Sequence, residues 1–493
     1  MARFLLVAAS FEDVTFLGKT QVNSHYPLGL AYLHSYLESR GHTVRTLALN
    51  HEPFANCREQ VLAGIKAFSP DTIGFQILTS NRVATMLLVD EVHQLLPSVP
   101  ILLGGIHTSV MYSQLLDRFP YAIAVLGEGE QTCDELLQAL ASSRNIEDVP
   151  GIAFRSAGKV RLTALRTLWE NLDELPFPKH DIFFTGNRSL AGMLSSRGCA
   201  FKCSFCVLDS FSRRRVRFRS PENVLEEIDY LARTFPNLQT IWFHDDSFFF
   251  RPERAIAICE GIIRLGIRKN FVCSARFKPI SQELVNALER AGFGMVLFGL
   301  ESGSEKILQL AHKHITQDDA IKAIELFRHR NIRLAVFLIV GLYGETRETL
   351  IETARFFQRL QKIKYFLHPD GVAILNVYPG TEIYELCKQQ RLLEDKFWLT
   401  DQPTPVFTVE HDLATLQLFR DLLLDHVSLF RLPNPRALHF QRTLIPQILK
   451  FLLFETPPRE AMRIVAEPLL GALRSMAPGL VDSLLALYRN YRS

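Results

Sequence analysis

What most limits the fold of this chain is a rhythm. Short apolar or β-branched runs alternate with longer amphipathic ones, in two series separated by a proline-broken gap. A strand buried on both faces reads as a short continuous apolar run, and a helix covering it repeats near 3.6 residues, so the alternation specifies parallel β-α units. In the first series, strands fit Phe4–Ala9, Thr43–Ala48, Thr72–Gln76, Ile101–Leu103 and Ala122–Val125. Helices fit Leu28–Arg40, Glu59–Phe68, Arg82–Leu96, Ser109–Phe119 and Gln131–Ala141. This predicts a Rossmann-like domain over 1–150 whose ligand belongs at the carboxyl ends of its strands.

Residues 151–186 interrupt the rhythm, and Leu175-Pro176-Phe177-Pro178 disfavours a helix, so this stretch reads as a linker. The second series predicts strands at Ala191–Ser195, Thr240–His244, Val272–Arg276, Val296–Leu300, Leu334–Val340 and Val372–Val377. They describe a partial (β/α)6 barrel over 187–397, with chemistry on the loops after the strands. Ser220-Pro221-Glu222, Ser281 and Thr316 are helix-start signals. The overall class is therefore α/β. Over 398–493 strand signals fade into a helical region, apolar-rich at Leu413–Leu432 and Leu444–Leu487. From Arg431 on it holds nine basic against four acidic residues, read as a cap with a solvated basic face, with a membrane-surface contact as the alternative.

Composition acts by exclusion. With 55 Lys+Arg against 52 Asp+Glu, the net charge of +3 gives no bulk field to attract nucleic acid. The longest apolar stretches, Leu334–Leu342 and Ile448–Phe454, fall short of the roughly 18 to 20 residues that span a bilayer. Arg3–Ala9 is too short for a signal sequence and runs into Glu12-Asp13, so it reads as the first strand of a cytoplasmic protein.

Of eight cysteines, Cys57, Cys133, Cys259, Cys273 and Cys387 are scattered, whereas Cys199, Cys203 and Cys206 form a C-x3-C-x2-C directly after the first strand of the second series. In a reducing compartment such a group holds a metal or cluster more readily than a bridge. Three thiolates on a four-iron cluster leave one iron open, the mark of a reactive site. A structural zinc lacks its fourth ligand, because His180 and His244 are not at finger spacing. The run Arg213-Arg214-Arg215-Val216-Arg217-Phe218-Arg219 reads as a solvated loop before the Ser220 cap and is assigned no site.

The segment Cys199 to Cys206, with Phe205 as the aromatic of C-x3-C-x-aromatic-C, resembles the radical S-adenosylmethionine (SAM) superfamily. The resemblance implies a 4Fe-4S cluster on Cys199, Cys203 and Cys206, whose open iron chelates the methionine moiety of SAM and whose reduction yields a 5′-deoxyadenosyl radical. It also implies SAM contacts at Phe205, at Asp246 with Asp245 second, at Arg276, at Glu301 and Ser302 in Gly299-Leu300-Glu301-Ser302-Gly303, and at Val340. Gly341-Leu342-Tyr343-Gly344-Glu345-Thr346 matches the family's G-x-P-G-E-T except that Tyr343 replaces proline.

The first domain has no G-x-G-x-x-G, which argues against a dinucleotide. Its strand ends carry Gly104-Gly105-Ile106-His107-Thr108-Ser109 and Gly127-Glu128-Gly129-Glu130, and its first helix opens with Tyr26-Pro27-Leu28-Gly29-Leu30-Ala31-Tyr32. Together these resemble the cobalamin-binding domain of cobalamin-dependent radical SAM enzymes. Implied cobalamin contacts are Leu28, Gly29, Gly104, Gly105, His107, Gly127, Glu128 and Glu130; in the absence of a D-x-H-x-x-G histidine, cobalt's lower face is either open or faces Leu78, Thr79 or Ser80. The expected reaction is methylation of an unactivated carbon through methylcobalamin, with an electron donor such as flavodoxin or ferredoxin. The substrate is expected to be a small molecule, either a hydrophobic or membrane-derived one or a small natural-product intermediate. Radical rearrangement or oxidative cyclisation on the same cofactors, a cobalamin-free radical enzyme, and a non-catalytic cobalamin sensor are the alternatives. Methylthiolation would need a second cysteine cluster, which Cys57 and Cys133 do not supply.

Overall fold

A computed structural model describes residues 1–11, 27–184, 188–364, 367–402 and 408–427. The first series folds as expected into parallel strands β1 (Arg3–Ala8), β2 (Thr43–Ala48), β3 (Thr72–Gln76), β4 (Ile101–Gly104) and β5 (Ile123–Val125). Helices α1 (Leu28–Ser39), α2 (Phe54–Phe68), α3 (Arg82–Leu95), α4 (Ile106–Arg118) and α5 (Glu130–Ala141) follow them in turn. The sheet does not stop at β5. Two antiparallel strands, β6 (Ile152–Ser156) and β7 (Lys159–Leu162), extend it to the order β2-β1-β3-β4-β5-β6-β7. The linker reading of 151–186 therefore does not describe its first part. A tight turn at Ala157-Gly158, both at positive φ, closes this short hairpin. The exposed basic side chains of β7 hide its alternation.

The second series gives β8 (Leu190–Met193), a two-residue pair β9 (Ser196–Arg197) and β10 (Arg217–Phe218), then β11 (Thr240–Phe243), β12 (Asn270–Ala275), β13 (Phe293–Glu301), β14 (Arg333–Val340) and β15 (His368–Ile374). All but β9 and β10 form one parallel sheet in the order β15-β14-β13-β12-β11-β8. Each neighbour in the chain is a neighbour in space, which is the arrangement of an open barrel. The helix starts hold: Ser220 accepts from Asn223 N–H (3.1 Å), Ser281 from Leu284 N–H (3.2 Å) and Thr316 from Asp319 N–H (3.1 Å). The helix Leu413–Val427 packs on the barrel. The Leu444–Leu487 expectation, the basic excess from Arg431 on, and Tyr26 lie outside the described residues. Among the described residues no helix is long and apolar enough to cross a membrane.

The two halves share a core. Leu5, Val7, Ile73, Phe75 and Leu103 on one face of the first sheet join Leu342, Leu375, Val377, Tyr384 and Trp398 from the second half in one buried cluster. Burial on this scale holds the carboxyl ends of both sheets against one another.

Candidate active site

At the carboxyl ends of the first sheet lies a cavity of about 370 Å³. Its floor is Phe4, Leu6, Leu102 and Val125, and its rim is Gly29, Gly104, Gly105, Gly127, Glu128, Gly129 and Glu130. A Cβ added at Gly29, Gly104 or Gly127 would meet nothing within 4 Å, so these glycines leave space. Gly127, at φ +76°, is required by the backbone as well, and so is Gly105, which sits at φ +96° and where a Cβ would come 2.6 Å from the Ile77 carbonyl. Gln76, at the end of β3, also lines the cavity, and its Oε1 is buried without a partner. A glycine cradle with an orphan acceptor fits a bulky ligand rich in N–H groups, and the amide-bearing periphery of cobalamin is of that kind.

The wall of the cavity is completed by Leu194, Arg197 and Phe211 from the second half. Arg197 reaches Glu130 (2.8 Å) and Glu128 (3.4 Å), and its guanidinium lies 4.7 Å over the Tyr32 ring. Arg217 grips Glu128 with two nitrogens, at 2.7 and 2.8 Å, and Trp169 N–H adds a third bond at 3.1 Å. These donors hold the Glu128 carboxyl below its usual range against the opposing effect of burial. Arg217 and Arg219 are buried, so the solvated-loop reading fails for them; Arg219 pairs with the buried Glu227, which also takes His180 Nε2 at 2.8 Å.

Cys199, Cys203 and Cys206 lie on the loop between β9 and β10. The loop is pinned by Ser204 N–H to the Ala311 carbonyl (3.1 Å), Ile383 N–H to the Ser204 carbonyl (3.2 Å) and Ser212 Oγ to the Cys199 carbonyl (2.9 Å). Gly198 precedes it at φ +96°, where a side chain would run into the Arg215 carbonyl. Burial pushes the Cys206 thiol up to about 11, and the other two cysteines and Asp246 add to this. Burial also raises Cys199. A positive metal group is what makes such clustered thiols into thiolates. Among the described residues no three His, Cys, Asp or Glu gather at a point suited to a single ion. Three thiols carried on one loop are a donor set that an iron–sulfur cluster takes, one thiolate to each of three irons.

Around this loop the sequence-predicted contacts divide. Asp246 opens to the barrel mouth, accepts from Gly198 N–H, and is pushed up to about 6 by the protein packed round it and by the charge of Asp245. The Arg276 guanidinium lies 3.7 Å over the Phe201 ring and donates to the Lys313 carbonyl, with its Nε buried and unpartnered. Glu301, at φ +67°, pairs with Lys313 at 2.7 Å, and the Lys313 ammonium stands 5.8 Å over the Phe205 ring.

The structure places the other expected contacts within the chain's own packing or away from the cavity. Asp245 faces away: its carboxylate accepts from Ser195 N–H (2.7 Å), Ser195 Oγ (2.5 Å) and Ser196 Oγ (2.6 Å), and so it braces the start of the cysteine loop. Ser302 is fully buried, with its hydroxyl on Thr353 (3.0 Å) and Ser304 N–H (3.2 Å). The Val340 side chain packs in the outer core, and its carbonyl accepts from Leu375 N–H (2.9 Å). In the first domain, Leu28 packs with Tyr32 and Phe183 instead of lining the cavity. Leu78, Thr79, Ser80 and His107 do not line it either. Thr79 Oγ1 bonds His107 Nδ1 at 3.0 Å, and the buried His107 meets Trp398 edge-on. Burial and the nearby Arg82 charge hold His107 down to about 3. Sequence reasoning misses Tyr32, Gln76, Arg197, Lys313 and Phe211 as site residues. A signal is present for Gln76, its place at a strand end, and for Tyr32, its place in the segment that opens the first helix.

Comparison with known proteins bears on both halves. Residues 193–357 match the radical SAM superfamily and residues 14–137 match the B12 binding domain. An uncharacterized methyltransferase of Pyrococcus horikoshii is 29% identical over 415 residues, covering 83% of this chain and 88% of its own. The anaerobic magnesium-protoporphyrin IX monomethyl ester cyclase of Rubrivivax gelatinosus is 30% identical over 354 residues, 66% of this chain and 61% of its own. Among solved structures, the cobalamin-dependent S-adenosylmethionine radical enzyme OxsB, with aqua-cobalamin and S-adenosylmethionine bound, superposes with a TM-score of 0.70 at 19% identity, over 97% of this chain and 75% of its own.

Proposed function

The chain belongs to the cobalamin-dependent radical SAM enzymes, and on that footing we propose that it methylates an unactivated carbon of a small-molecule substrate. One observation carries the reading: the wall of the glycine-rimmed cavity is closed by Arg197, two residues before Cys199, so the cobalamin site and the cluster loop share a side chain. When bound, the 4Fe-4S cluster and SAM supply a hydrogen-abstracting radical, and cobalamin supplies the methyl group. Cys199, Cys203 and Cys206 would hold the cluster. Asp246 would face the SAM amino group, Arg276 its carboxylate, and the Glu301–Lys313 pair its ribose. Gly29, Gly104, Gly127 and Gln76 would receive cobalamin. The chain's part is to hold both groups against one enclosed mouth and keep water from the radical. Electrons would come from a donor of the flavodoxin or ferredoxin class, in a cytoplasmic setting.

The cyclase relative favours a second reading, radical cyclisation without methyl transfer. Anaerobic reconstitution with iron, sulfide and cobalamin, then assay under a strong reductant, separates the two. Methylation requires both 5′-deoxyadenosine and cobalamin-dependent S-adenosylhomocysteine. Deoxyadenosine alone supports cyclisation, and neither product from a loaded cluster removes the catalytic reading.

A further inference from the structure

The inner face of the second sheet is set by strand register. Trp242 of β11 stands beside Val272 of β12, Val272 beside Met295 of β13, Leu297 beside Ala335 of β14, and Gly299 beside Phe337. Side chains alternate across a strand. These residues therefore point away from Ile241, Phe243, Cys273, Val296 and Phe298, which lie under the outer helices. They make a patch of their own, in which Val272, Leu297 and Ala335 are buried while Trp242, Met295 and Phe337 keep open surface.

His244 is the next inward residue after Trp242, and the two rings stack with centroids 5.0 Å apart and planes at 17°. Trp242 Nε1 and His244 Nε2 are both buried, and neither has a hydrogen-bond partner. Leaving a buried polar nitrogen unpaired costs about 1–3 kcal/mol, and an indole N–H can only donate. The indole N–H calls for an acceptor from outside the chain, and His244 Nε2, in its N–H tautomer, donates to the same acceptor. Burial holds the His244 ring neutral, down to about 4, so it brings no charge that would select an anion.

We propose that Trp242 and His244 are the polar contacts of the substrate subsite, and that the molecule they take is apolar and carries a neutral acceptor oxygen. Trp242, Met295 and Phe337, which keep open surface, receive its body, and the oxygen fixes its orientation. This rests on the radical reading above: Asp246, two residues further along the same chain direction, faces the cysteine loop, so a molecule seated here lies next to where the radical would form.

The test is equilibrium dialysis of the full chain, reconstituted with iron, sulfide and hydroxocobalamin, against 2-acetylnaphthalene and 2-isopropenylnaphthalene. The pair matches in shape and differs in C=O against C=CH2. The ketone is expected to bind about tenfold tighter, the range of one buried hydrogen bond. His244→Leu and Trp242→Phe should each bring the ratio near one, and His244→Gln, which keeps an N–H, should restore most of it. Iron content and bound-cobalamin absorbance report whether each variant has folded. Equal binding of the two probes, no saturable binding of either, or a ratio unchanged in both His244→Leu and Trp242→Phe overturns the proposal. Failure of the radical reading is seen separately, as absent 5′-deoxyadenosine, because dialysis involves no turnover.

Discussion

The cavity of the first sheet and the mouth of the second are built by opposite means. The cavity is made by leaving side chains out: Gly29, Gly104 and Gly127 face open space, above an apolar floor. The mouth is made by burying charge and bracing it, as in Asp245 under two serines, Glu301 on Lys313, and Glu227 between Arg219 and His180. A site made of space loses ligand when it is filled or when its wall is opened. A site made of buried pairs fails when one partner goes, because the other is left charged and unpaired. The largest test of this contrast is Cys203→Ala. Deoxyadenosine formation should fall by roughly three orders of magnitude, a loss of about 4 kcal/mol in transition-state terms, while cobalamin still titrates within about twofold of the wild type. Loss of cobalamin binding as well would mean that the two sites are not separable.

Arg197→Met is aimed at the point where the two constructions meet. It leaves Glu130 buried without its partner and opens one wall of the cavity. Removing one member of a buried pair costs about 3 kcal/mol, so the apparent melting temperature should drop by several degrees. Cobalamin affinity and cluster occupancy should fall together, with Arg197→Lys milder in both. A variant that lost only one of the two would show that Arg197 serves a single site.

How far the sequence reveals each region follows from the same difference. Glycines at strand ends and three cysteines at fixed spacing are local signals, and the space at Gly104 and the loop of Cys199 to Cys206 are readable from them. Ion pairs are not local: Glu128 meets Arg217 across 89 residues and Glu130 meets Arg197 across 67. Both carboxylates therefore read as free ligand contacts, and both arginines as a solvated run or as nothing. Strand parity, by contrast, is a local signal that separates the two aspartates. Ile241 and Phe243 lie on the outer face of β11, so Asp245 continues their side and Asp246 the other. The β6–β7 hairpin is hidden because an exposed edge strand with alternating basic residues lacks the apolar run of a buried one.

Adjacent glycines sharpen the contrast within the cavity itself. Gly104→Leu projects a side chain into open space and should weaken cobalamin about tenfold with little change in melting. Gly105→Ala must accept φ +96° and a close approach to the Ile77 carbonyl, so it should cost about 1–3 kcal/mol of stability whether or not ligand is present. Melting curves with and without cobalamin check both. If Gly104→Leu destabilised the apo protein as much as Gly105→Ala, the space at Gly104 would belong to the fold and not to a ligand.

The smallest expected effect lies on the buried-charge side and appears only as pH changes. Glu345 follows β14, with Oε2 accepting from Gly341 N–H at 2.5 Å and Oε1 buried without a partner. Burial pushes its carboxyl up to about 8; the Gly341 bond opposes this and the Glu410 charge adds to it. Folded Glu345 thus stays protonated at pH 7, whereas in the unfolded chain it ionises near pH 4.5. Between these values the unfolded state binds fewer protons, so stability falls as pH rises, by about 1.4 kcal/mol per pH unit from this group, and levels off above the folded value. Glu345→Gln fixes the neutral form and removes that slope. Denaturation of both proteins at pH 6 and pH 7 should show the variant gaining about 1 kcal/mol on the wild type over that step. A difference that stayed constant, or shrank as pH rose, would mean that Glu345 ionises in the folded state and that a cation near Gly341 compensates it.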